Sequence, residues 1–149
     1  VDLDGDAFLP ADYVDLPEER VAIYRRLAEA DSLAEIEAIS DELTDRFGKL
    51  PLPARNLLGL ASLKLLGTAL GLKSLRVLAR ESRAKFSDAV QREPGKSFEE
   101  WVGGMMRRAP YPIEFFQNGG LGFKMAVPKG QAAMPMTVKL LMGMQRDWK

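Results

Sequence analysis

The chain has 149 residues, 46% of them hydrophobic, and its 21 Lys/Arg balance 21 Asp/Glu to a formal net charge of zero. That length and apolar content suit one domain with a substantial core. The chain holds no cysteine and no histidine, which removes disulfides, Cys/His zinc sites, Ser-His-Asp triads and Cys-His dyads together.

The charge is unevenly placed. Residues 1–51 carry 14 Asp/Glu against 5 Lys/Arg, a net of −9, and residues 52–149 carry 7 against 16, a net of +9. An acidic half suits a basic protein surface, and a basic half suits nucleic acid or an acidic surface. The alternative is that the halves partly neutralise one another. No run approaches the roughly 18 apolar residues of a membrane span, and no signal-peptide pattern occurs. The chain begins with Val rather than Met, which suggests a piece of a larger protein.

Residues 1–7 open with alternation and a turn, which predicts an edge strand. Asp2, Asp4 and Asp6 with Gly5 suggest a calcium loop, but the sixth-position Gly is missing and the twelfth position is Tyr13. No metal site is therefore expected. Phe8 to Val14 is extended, with Pro10 opposing helix, and Phe8, Leu9, Tyr13 and Val14 are expected to cover one edge of the core. Asp15-Leu16-Pro17-Glu18 starts a first helix over 17–30. Its expected buried face is Val21, Tyr24, Leu27 and Ala28, with Arg20, Arg25 and Arg26 elsewhere. Pairing with carboxylates is the expected role of Arg25 and Arg26, ahead of phosphate contact.

A second helix is expected over 32–47, where Leu33, Ile36, Ile39, Leu43 and Phe47 recur at helical spacing. Ser32 to Glu35 forms a capping box, and Gly48 closes the helix. Asp41 and Asp45 are like charges four apart, costing roughly 0.2–0.5 kcal/mol. Asp45 also opposes the helix dipole at a cost of about 0.3–1 kcal/mol. Arg46 is expected to pair with Glu42. Local rules broken on one face tend to mark a functional surface, the bland alternative being a solvated acidic face.

Pro51 and Pro53 separate this helix from a third, over 53–71, with Leu57, Leu58, Ala61, Leu65 and Leu66 on its apolar face. Leu72 to Ala79 then reads as a strand, Arg80-Glu81-Ser82 as a turn, and Arg83 to Val90 as the hairpin partner. Arg76, Arg80, Arg83 and Lys85 make this hairpin basic, a candidate nucleic-acid contact whose only aromatic is Phe86. Residues 91–96 are a turn-rich connection. A short helix from Ser97 to about Arg108 is expected to bury Phe98, Trp101, Val102 and Met105. Residues 113–117 and 121–127 flank Asn118-Gly119-Gly120 as a second hairpin. The last helix runs from about Met136 to Trp148. Met134, Met136, Met142 and Met144 read as core fillers before they read as an adaptable surface.

No Gly-Lys-Ser/Thr string completes a phosphate loop. The carboxylate pairs Asp41/Asp45 and Glu99/Glu100 lie on an exposed face and at a helix start, which does not suit acid–base catalysis. The expected fold is α+β: a three-helix half over about 1–71, then a small antiparallel sheet of two hairpins with two further helices over about 72–149.

Four segments carry a family resemblance. Phe8-Leu9-Pro10-Ala11-Asp12-Tyr13-Val14 matches an "L-I-P-x-x-Y-I" segment, and Arg20-Val21-Ala22-Ile23-Tyr24-Arg25-Arg26 matches "R-x-x-x-Y-[KR]-[KR]". Glu42 through Pro51 matches "E-L-x-D-R-F-G-x-[LP]-P", and Leu70-Gly71-Leu72 matches an "L-G-[IL]" helix end. In order and spacing, residues 8–72 resemble the C-terminal domain of the bacterial transcription-repair coupling factor family (Mfd). Beyond residue 80 only the general layout agrees.

The resemblance implies a non-catalytic regulatory domain of a cytoplasmic bacterial DNA translocase. That protein displaces stalled RNA polymerase on double-stranded DNA and recruits the repair protein UvrA. The domain would pack on the N-terminal UvrA-binding domain of the same protein, restraining recruitment and motor activity. Asp41, Glu42, Asp45 and Arg46 are the residues expected at that contact. No cofactor is expected here, ATP and Mg being bound elsewhere in the parent protein. The alternative is a nucleic-acid-binding module that uses the basic half.

Overall fold

A computed structural model describes residues 2–3, 5–87, 100, 103–104, 106–107, 112–116, 122–128 and 132–148, with side chains as far as 143. The elements run β1 (Asp2–Leu3), α1 (Pro17–Glu29), α2 (Leu33–Phe47), α3 (Leu52–Leu70), β2 (Leu72–Val77), β3 (Glu81–Phe86), β4 (Ile113–Phe116), β5 (Gly122–Ala126) and α4 (Ala133–Trp148). The fold is α+β, with three helices before most of the sheet. None of the described helices is long and apolar enough to cross a membrane. The chain divides into a helical unit, Gly5–Leu65, and a sheet unit, Val1–Asp4 with Leu66–Lys149. The boundary falls inside α3.

In the helical unit, Leu9, Val14, Ile23, Leu27, Ile36, Ile39, Leu43, Ala54 and Leu58 form one buried cluster. The leading segment is tied down by specific polar atoms. Tyr13 Oη shares its one proton between the carbonyls of Gly48 (2.8 Å) and Leu43 (3.1 Å), at the C-terminal end of α2. The Tyr13 ring packs on Phe47 at 5.7 Å between centroids. Burial pushes the Tyr13 hydroxyl above its ordinary pKa. Leu9 N–H donates to Tyr24 Oη at 2.8 Å, and Arg20 Nη1 donates to the Val14 and Asp15 carbonyls. Phe8 N–H donates to the Pro53 carbonyl at 3.1 Å.

The caps of α2 form as expected. Ser32 Oγ accepts from Glu35 N–H, while Glu35 Oε2 reaches back to Asp31 N–H. Gly48, at φ 89°, donates its N–H to the Thr44 carbonyl.

The rotation of α1 differs from expectation. Ile23 and Leu27 are its buried residues, while Val21 is 55% and Tyr24 37% exposed, and Ala28 is exposed too. The reason lies in what meets α2. Glu19, Ile23, Arg26 and Leu27 share one stripe, and its two charged members bind residues of α2. Phe8 is 42% exposed and does not join the core. On α3, Ala54, Leu58, Leu63, Leu66 and Leu70 are buried, and Leu57, Ala61 and Leu65 are half-buried.

The sheet unit holds five described strands in the order β1-β2-β3-β5-β4. β1 adds to β2 in parallel, and the remaining pairs are antiparallel. Leu75, Val77, Ala84, Phe86, Phe123, Met125 and Ile113 are buried, as are Ala133, Met134, Leu140 and Leu141 of α4. Phe86 packs on Phe123 at 5.8 Å between centroids. Glu81, expected in the turn, is the first residue of β3; the turn is Leu78 to Arg80, closed by Leu78 N–H to the Glu81 carbonyl. α4 starts at Ala133, three residues earlier than expected, because Pro135 falls within the first turn, where its missing N–H has no helical partner to lose. Met134 is buried and Met142 is 40% exposed. The helix expected over 97–108 lies largely outside the described residues; Glu100, Gly103, Gly104, Met106 and Arg107 are helical. Residues 88–99 and 117–121 also lie outside them.

Candidate functional sites

The first candidate site is the outward face of α2. At about 100° per residue, Asp41 and Asp45 lie nearly opposite Leu43, whereas Glu42 and Arg46 lie on its flank. Asp41 and Asp45 are exposed and form no ion pair or side-chain hydrogen bond among the described residues. Glu42 and Arg46 do not pair with each other, contrary to expectation. Arg26 of α1 binds Glu42, and Arg46 binds Glu19 of α1 at 3.1 Å. The Arg46 guanidinium also stands 4.8 Å from the centre of the Phe47 ring. Two ion pairs thus clip α1 to α2 in opposite charge order. Arg25 has no such carboxylate partner among the described residues.

The clips are open to water. The Arg26 and Glu42 side chains keep 46% and 39% of their exposure. Exposed pairs of this kind contribute about 0–1 kcal/mol, so an incoming cation can replace Arg26 on Glu42 at little cost. A shallow groove of about 370 Å³ beside the pair is lined by Arg26, Glu29, Ala30, Glu35, Ala38 and Ile39.

The second candidate is the outer face of the sheet. Alternation turns Ser74 and Arg76 of β2, Arg83 and Lys85 of β3, and Lys124 of β5 away from the buried side. Arg76 is the register partner of Arg83, and Arg83 of Lys124. Glu81 accepts from Arg83 Nε at 2.8 Å and pairs with Lys124 Nζ at 3.1 Å. Partial burial pushes the Glu81 carboxyl up. Hydrogen bonds from Lys124 and Arg83, with their charges, outweigh it and hold the group below its usual range. Arg80 sits at the hairpin turn and does not line this face with the other three. Phe86, the aromatic that the sequence offered for stacking, is 2% exposed and belongs to the core.

Sequence reasoning missed Phe116. It is far from the hairpin in sequence, but β5 lies between β3 and β4 and brings it alongside. Gly122 opposes both Phe116 and Lys85. A Cβ there would lie 2.5 Å from Phe116 Cζ and closer still to the Ala84 carbonyl oxygen. The glycine is what lets the ring lie against the sheet. Ser74, Arg76, Arg83, Ala84, Lys85 and Phe116 together line an open groove of about 440 Å³. The signal available in the sequence was a small residue, Gly122, set across a hairpin from an outward-alternating aromatic.

The model of the TRCF domain family matches residues 3–97. The transcription-repair-coupling factor of Mycobacterium bovis is 53% identical over 66 residues, covering 44% of this chain and 5% of that protein. The one of Escherichia coli is 33% identical over 110 residues, covering 74% of this chain and 9% of that protein. A crystal structure of the C-terminal domain of transcription-repair coupling factor superposes with a TM-score of 0.78 at 20% identity, covering 99% of this chain and 91% of that one. The chain therefore spans less than a tenth of the length of these two whole relatives, while it matches nearly all of an isolated C-terminal domain. It belongs to the TRCF domain family.

Proposed function

We propose that this chain is a non-catalytic regulatory domain of a transcription-repair coupling DNA translocase, and that it works by masking. The acidic face centred on Asp41 and Asp45, with Glu42 at its edge, meets a basic surface on the N-terminal UvrA-binding domain of the same protein. While the contact holds, UvrA recruitment and motor activity are restrained. The parent protein, not this domain, engages RNA polymerase, double-stranded DNA and ATP with Mg.

The observation that carries this reading is the placement of Asp41 and Asp45. Both carboxylates face away from the core and lack partners among the described residues, at positions where helix electrostatics disfavour them. The exposed Arg26–Glu42 pair beside them can exchange Arg26 for a partner's cation. Arg46 then acts from behind, holding α2 in place through Glu19. Such a contact is switchable because each of its ion pairs is individually weak, so a ligand with a modest preference for the open state releases it.

The test is Asp41→Lys/Asp45→Lys in the full-length parent protein, read by UvrA binding and ATP hydrolysis. Both are expected to rise, with the melting temperature of the variant domain not lowered, since a cation at position 45 suits the helix C-terminus. Wild-type values of both, in a variant that folds normally, would overturn masking by this face.

A further inference from the structure

We infer that the outer face of the sheet is a binding site for single-stranded nucleic acid, with Phe116 as the stacking platform and Arg76, Arg83 and Lys85 as phosphate contacts. The inference uses none of the residues of the α2 face and stands apart from the masking reading.

Electrostatics comes first. Arg76 and Arg83 are paired directly across β2 and β3, and like charges so placed destabilise a sheet. The carboxylates nearby do not cure this. Glu81 is spent on Arg83 and Lys124. Asp2 is the register partner of Arg76 on β1, yet the two form no ion pair. Glu114 is opposite Lys124, which turns to Glu81 instead. Arg76 and Lys85 are thus left without a carboxylate among the described residues. A run of phosphates supplies the missing anions.

The aromatic then selects among anions. Phe116 is half-buried, lies against Gly122, and lines the same groove as the three cations. Lys85 is the register partner of Gly122, so a cation flanks the ring. An acidic peptide would use the cations and leave the ring idle. A duplex hides the faces of its bases. A single strand presents phosphates and bare base faces together, which is what an open sheet with an outward aromatic accommodates.

The experiment is fluorescence anisotropy of a labelled oligothymidylate with the 149-residue chain at low salt, alongside a duplex of equal length and poly-glutamate as competitor. Expected is binding that weakens with salt and that Arg76→Glu/Lys85→Glu weakens at least roughly ten-fold, with a shallower salt slope. Phe116→Leu keeps the apolar bulk and removes the ring; it should weaken binding roughly five-fold or more while the circular dichroism spectrum stays that of the parent. Several results would overturn the site: no binding at low salt, a Phe116→Leu chain that binds like the parent, equal affinity for the duplex, or equal competition by poly-glutamate.

Discussion

In the helical unit, charges are matched across helices: Glu19 with Arg46, and Arg26 with Glu42. In the sheet unit they are not: Arg76 faces Arg83, and Glu81 serves two cations at once. The difference teaches what a strong sequence signature reports. In the helical unit, the signature residues are mostly fasteners. Tyr13 ties the leading segment to the end of α2, Tyr24 and Arg20 hold its two ends, and Glu42 and Arg46 clip α2 to α1. Fasteners need particular atoms at particular places. The sheet unit is built by alternation, which many sequences satisfy, so it carries fewer motif-like residues although the family model runs on through β2 and β3, and its surplus charge stands out.

The largest effect that would sharpen this contrast is Leu43→Ala. Leu43 is fully buried between the fasteners, and its truncation should cost about 2–5 kcal/mol, measured by urea unfolding. Next is Gly122→Ala. The new Cβ meets a backbone carbonyl that cannot yield easily, so about 1–3 kcal/mol of overpacking is expected, with the loss of amide protection concentrated in β3, β4 and β5. Tyr13→Phe keeps the ring on Phe47 but removes the one proton shared between two carbonyls, and roughly 0.5–1.5 kcal/mol should disappear from the same unfolding curve. Arg26→Gln removes one exposed clip and should cost no more than about 1 kcal/mol; a larger loss would mean that the clips, not the apolar stripe, hold α1 to α2.

The smallest effect is one of pH. The folded-state pKa of Glu81 is depressed, so its contribution to stability is present above the ordinary carboxylate pKa of 4.5 and fades as pH falls through the folded value. Glu81→Gln should therefore flatten the acid limb of the stability profile and leave its slope above pH 7 unchanged. An unaltered acid limb would show that Glu81 is not held by Lys124 and Arg83 in solution.

Much of this was legible in the chain. The apolar spacing and the Ser32 and Gly48 caps set α2, and alternation set both hairpins. The orientation of α1 was not, because Val21 and Tyr24 offer a second stripe of large side chains beside Ile23 and Leu27; Ile23 and Leu27 join the buried cluster with Ile36, Ile39 and Leu43, and the ion pairs to α2 flank that stripe. The parallel pairing of β1 with β2 was equally hidden, since it joins the first residues to the middle of the chain. Of the α2 site, the carboxylates were legible from spacing, but the division between free Asp41/Asp45 and engaged Glu42/Arg46 required the neighbouring helix. On the sheet, the cations were legible and Phe116 was not, because its place depends on strand order.

The most direct measurement is an amide chemical-shift map of the isotope-labelled chain, titrated with the N-terminal domain proposed as its masking partner. The account predicts salt-sensitive shifts on the outward residues of α2, centred on Asp41 and Asp45 and reaching Ala38 and Glu42, and their loss in Asp41→Lys/Asp45→Lys. Shifts confined to the sheet unit, or a map indifferent to that charge reversal, would contradict it.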